Sequence, residues 1–70
     1  MNLEQYRLQC RWSISQLARK AELDYGTAKK ALDGGSISHN TANKLAQAIS
    51  EGLGRPIRIE DIEGLNVSTL

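Results

Sequence analysis

Capping residues and glycines interrupt this chain so often that no stretch between them is longer than a short helix, and that punctuation limits the possible folds more than any other feature. Ser13 can start a helix, because its hydroxyl accepts an orphan backbone N–H while Gln16, three residues on, reaches back to complete a capping box. Asp24 can cap the next helix through Thr27, and its charge suits the positive end of the helix dipole. Gly34 and Gly35 end that helix, since glycine readily adopts the left-handed conformation common after a helix C-terminus. Ser38 caps another, which Gly52 and Gly54 close, and Pro56 restricts the link beyond.

The apolar residues fit these divisions. Leu3, Tyr6 and Cys10 share one side of an opening helix, and Leu8 points away from them. Trp12 and Leu17 flank the Ser13 cap at the spacing of a hydrophobic staple, which assigns Trp12 to the core. Leu17, Ala18 and Ala21 form the inner face of the second helix, which is expected to stop near Glu22 and Leu23. Ala28, Ala31 and Leu32 face inward on a third, from Tyr25 to about Leu32. Ala42, Leu45, Ala46 and Ile49 give the fourth the most regular apolar stripe of the chain. Ile57, Ile59, Ile62 and Leu65 suit a short final helix with extended flanks. The expected fold is therefore all-α, a compact domain of four to five helices over residues 1–65. Residues 66–70 form a tail that is mobile unless it docks or joins a dimer.

Seventy residues make one domain with a simple core, too small for a deep enclosed pocket. The lone Cys10 cannot form an internal disulfide, and with only His39 beside it there is no ligand set for a structural zinc. There is no catalytic constellation either: paired carboxylates, a nucleophile with its base and a phosphate-cradling loop are all missing, so neither an enzyme nor a bound cofactor is expected. Without a signal or membrane-spanning segment, and with one reduced cysteine, a cytoplasmic protein is expected.

The formal net charge of +1 conceals an uneven distribution. Between positions 7 and 44 the basic residues Arg7, Arg11, Arg19, Lys20, Lys29, Lys30 and Lys44 face only Glu22, Asp24 and Asp33. From Glu51 onward the acids Glu51, Glu60, Asp61 and Glu63 outnumber Arg55 and Arg58. A basic working face and an acidic far side is one natural division.

Two short capped helices joined by a tight turn, with small residues where they cross, are what a helix-turn-helix needs. Ala18, Ala28 and Ala31 supply the small residues, leaving Tyr25, Gly26, Thr27, Lys29 and Lys30 on the outside. The second helix of such a unit enters the major groove of duplex DNA with its N-terminal residues at the base edges. Lys29 can donate to guanine O6 and N7, Tyr25 and Thr27 lie at the reading end, Gly26 permits close backbone approach, and Lys30 sits towards the phosphates. Small polar residues cluster at two further helix starts: Ser13 and Ser15 at the second, and Ser36, Ser38, His39, Asn40 and Asn43 at the fourth. They could hold the DNA backbone, or simply cap helices and face water; the residues alone leave both readings open.

With these residues in place, the stretch from about Leu3 to Leu53 resembles the Xre/Cro family of phage-repressor-like DNA-binding domains. Leu3, Tyr6, Arg7, Cys10 and Trp12 match its first helix, and Ser13, Leu17 and Ala18 its second. Leu23, Asp24, Thr27, Ala28, Ala31 and Gly34 match the third, and Ile37 and Ser38 through Lys44, Leu45, Ala46, Ala48 and Ile49 the fourth. The resemblance implies a transcriptional regulator, commonly a repressor, that binds an operator in double-stranded DNA and often does so as a homodimer. The lack of a long apolar run and the small core argue on their own for no membrane and no small-molecule substrate. Glu22 stands where the family often has glycine, so a strained or differently shaped turn is expected there. Leu32 stands where many members carry an acid facing the residue that corresponds to Arg7, so Arg7 must find another partner. A dimer seam could come from Ile57, Ile62, Leu65, Val67 and Leu70, although the first three could equally close the core. The competing reading is a protein-interaction module, such as an antitoxin or adaptor with a helix-turn-helix-like body.

Overall fold

Four α-helices form between the caps: α1 (Leu3–Cys10), α2 (Ile14–Lys20), α3 (Tyr25–Leu32) and α4 (His39–Leu53), followed by a 3-10 turn at Ile59–Asp61. They belong to a computed structural model that describes residues 1–68, and among those residues there is no β-strand, only two isolated bridges. Asn2, Ser13, Asp24 and Ser38 are the N-caps, all in extended conformation. The first three stand 11 residues apart. Ser13 and Gln16 form the expected capping box, with Ser13 Oγ accepting the Gln16 N–H at 3.1 Å and Gln16 Oε1 accepting the Ser13 N–H at 2.8 Å. Asn2 and Gln5 form a second one at 2.8 and 2.9 Å.

Every helix stops on a left-handed residue: Arg11 (φ 59°), Glu22 (φ 57°), Gly34 (φ 84°) and Gly54 (φ 70°). After α2 the Leu23 N–H donates to the Ala18 carbonyl at 2.8 Å and the Glu22 N–H to Arg19 at 3.1 Å, the paired closure of a Schellman motif. The expected departure at Glu22 is therefore strain without a change of shape: the backbone turns as a glycine would, at a side-chain cost of roughly 1–2 kcal/mol. Because Glu22 makes no ion pair within 4 Å among the described residues, Glu22→Gly should relieve that strain at little loss. After discounting glycine's greater freedom when unfolded, we expect a gain of about 0.5–1 kcal/mol, a few degrees of melting temperature. A lower melting point would mean that the Glu22 side chain contributes more than its backbone costs.

The core lies around α4. Ala42, Leu45, Ala46, Ala48 and Ile49 are buried against Leu3 and Tyr6 of α1, Leu17 of α2, Ala31 of α3, and Ile37, Ile57 and Ile62 from the connecting segments. The chain returns past Pro56 because Ser50 holds it: the Ser50 hydroxyl accepts the Ile57 N–H at 2.8 Å and its single proton can go to the carbonyl of Ala46 (2.7 Å) or Ile57 (3.1 Å). Tyr6 donates to the Asp61 carbonyl at 3.3 Å, fastening the 3-10 turn to α1.

One sequence expectation is corrected. Gly52 does not close α4, which runs on to Leu53 and stops at Gly54. Its lack of a side chain instead makes room for Trp12: a Cβ there would lie 2.6 Å from Trp12 Cη2 and 3.0 Å from Cys10 Sγ. Gly52→Ala should therefore destabilise the domain by about 1–3 kcal/mol through overpacking, although alanine is the better helix former. Melting followed by Trp12 fluorescence would show both the loss and the displaced ring; unchanged melting would mean that the ring moves freely. In the tail, residues 66–68 are docked. Ile37 donates to the Asn66 carbonyl at 2.9 Å and accepts from the Ser68 N–H at 2.7 Å, because the extended α3–α4 linker offers a backbone edge with no helix to use it. Glu63 likewise donates to the Met1 carbonyl at 2.9 Å. Within the suggested dimer seam, Ile57 and Ile62 are core residues and Leu65 and Val67 pack against the core, while Leu70 lies outside the described residues.

Candidate nucleic-acid interface

Burial divides α3 along its length. Ala28 and Ala31 are buried, as are Ala18 and Ala21 at α2 and its end, and these small side chains suit the close contact of the two helices. Tyr25, Gly26, Lys29, Lys30 and Asp33 are exposed and, at helical spacing, form one continuous outer strip. Thr27 is half-buried at its margin. Tyr25 is 51% exposed, one of only two large apolar side chains so open to solvent among the described residues; the other is Leu8.

Lys29 and Asp33 pair within this strip. Lys29 Nζ lies 3.4 Å from Asp33 Oδ2, an exposed pair that stabilises little and that another acceptor can displace. The Lys30 stem lies across Gly35, where a Cβ would come within 2.5 Å of Lys30 Cγ, so its ammonium is carried towards the C-terminal end of α3. Asp24 does not use its side chain to cap a backbone N–H; its carboxylate accepts the Thr27 hydroxyl instead. That hydrogen bond holds the Asp24 carboxyl below its ordinary range.

The other candidates divide into spent and open groups. Ser38 accepts the Thr41 N–H at 3.1 Å and donates to the Thr41 hydroxyl at 3.0 Å, so both of its roles are local. Ser13 uses a lone pair in its capping box, while Ser15 and Asn40 are exposed. His39 and Asn43 do not lie on the α3 strip. Asn43 Nδ2 sits 3.3 Å from His39 Nδ1, and both line an open groove with Gln47, Arg58 and Glu60 that no α3 residue reaches. The i, i+4, i+8 spacing of His39, Asn43 and Gln47 points to that shared face, but the arrival of Arg58 depends on the return past Pro56.

Arg7 finds its replacement partners close by. It forms a salt bridge with Glu4, to which Nε also donates at 3.2 Å, and Nη1 donates to the Trp12 carbonyl at 2.7 Å. The pairing raises the Arg7 pKa and lowers that of Glu4. Arg7 is thereby removed from the basic stretch and serves to tie α1 to the α2 cap. Partial burial pushes the Cys10 thiol up, away from a reactive thiolate.

No protein family, curated protein or solved structure matches the chain. No helix is long and apolar enough to cross a membrane among the described residues.

Proposed function

We propose that this protein is a sequence-specific regulator, a repressor of the Xre/Cro type, that places α3 in the major groove of double-stranded DNA. The observation that carries this reading is the division of α3 between a methyl-lined inner face and an exposed outer strip bearing Tyr25, Gly26, Lys29 and Lys30. A helix held this closely by its neighbour projects a face narrow enough to enter a groove about 12 Å wide. Lys29 exchanges Asp33 for a guanine edge, and Lys30 meets phosphate from the C-terminal side. Ser13, Ser15 and Asn40 supply backbone contacts. A homodimer would set two half-sites about one helical turn apart, and the unpaired Cys10 fits the reducing cytoplasm.

The test is titration of a randomised duplex pool at several salt concentrations, with sequencing of the retained fraction. Log affinity should fall linearly with log salt, and one consensus should emerge. The second reading, a protein-interaction module, rests on the exposure of Leu8 and Tyr25. Tight association with a protein and no salt-dependent duplex binding would select it and reject the first.

A further inference from the structure

We infer that Thr27, locked by Asp24, makes the first turn of α3 read adenine or cytosine, the bases that present an exocyclic amino group in the major groove. The inference rests on the proposed insertion of α3 into DNA and adds the polarity with which it reads.

The Thr27 hydroxyl has one proton, and the Asp24 carboxylate takes it. Asp24 is exposed and ionised, so it offers no proton in return. The pair therefore presents lone pairs only. Gly26 leaves the second Asp24 oxygen uncovered, since a Cβ built there would stand 3.6 Å from Oδ2. Phosphate is repelled from this end of the strip by the same charge. In the major groove adenine N6 and cytosine N4 donate, whereas guanine N7 and O6 and thymine O4 accept. Only the first two can satisfy an acceptor-only pair. One turn on, Lys29 and Lys30 can only donate, so the two ends of the strip read opposite polarities.

Selection from a randomised duplex pool should be run with the wild type, Thr27→Val and Asp24→Asn, each checked for helicity. The position that Thr27 faces is the one whose base preference Thr27→Val alters; valine keeps the methyl that could touch thymine and removes only the lone pairs. There the wild type should favour adenine or cytosine by about tenfold. Asp24→Asn can donate its amide to Thr27 Oγ and release the hydroxyl proton, so guanine and thymine should be admitted while overall salt-dependent binding persists. Guanine or thymine preferred by the wild type, or identical preferences in all three proteins that still bind duplex, would overturn the inference and leave the proposed function standing. A folded wild type that binds no duplex would overturn both.

Discussion

Reversing both lysines of the α3 strip, Lys29→Glu with Lys30→Glu, should lower duplex affinity at least about a hundredfold near 0.1 M salt. Both side chains are exposed, so their replacement opens no cavity. The change replaces two donors with two charges of the wrong sign on a strip that already carries Asp33 and ends at Asp24. A base-edge contact alone contributes on the order of 1–3 kcal/mol of discrimination, and the lost phosphate attraction adds to it. The fold should lose only a few tenths of a kcal/mol, from like charges at helical spacing. Fluorescence anisotropy with a selected duplex measures the first effect and circular dichroism the second. Unchanged affinity in a folded double variant would remove α3 from the interface.

The largest expected loss of stability follows from Leu45→Ala. Leu45 is 0% exposed on the helix around which the core is built. Truncating such a side chain costs about 2–5 kcal/mol, a large part of what a domain of this size typically has. The melting temperature should drop by about 10–30 °C, since each kcal/mol shifts a domain of this size by several degrees. Leu8→Ala, the same change at a side chain 59% exposed, should leave melting within a few degrees. A small loss for Leu45→Ala would mean that α4 is not the centre of the core.

The helix starts at Ser13, Asp24 and Ser38 and the stops at Gly34 and Gly54 were legible because their chemistry is local: an oxygen facing bare N–H groups, or a residue free to turn left-handed. Asn2 and Gln5 repeat the spacing of Ser13 and Gln16 and carry the same signal. Arg11 carries none, and Glu22 was marked only by the glycine that the resemblance places there. They take the left-handed turn because Trp12 and Leu23, the residues that follow, pack against the core, and that is a property of the assembled domain. Gly52 misleads for the same reason: it reads as a helix breaker, and only the position of Trp12 shows why it is there.

In the candidate interface, the inward spacing of Ala28 and Ala31 revealed which side of α3 stays free. What that side offers was less visible. The Lys29–Asp33 and Asp24–Thr27 pairs lie within one helical turn, yet which of several possible partners each group takes depends on rotamers. His39 and Asn43 sit at the start of α4 as their spacing indicates, but the sequence does not reveal that Arg58 comes back to meet them.

The backbone bridges of residues 63–68 also bear on the order in which the chain is made. All four helices can form as they leave the ribosome, but the Ile37 amide and carbonyl stay open to water until Asn66 and Ser68 arrive. Until then the α3–α4 linker is an unpaired backbone edge, open to pairing with another extended segment. Docking of residues 66–68 is thus the step that takes this backbone edge out of solvent.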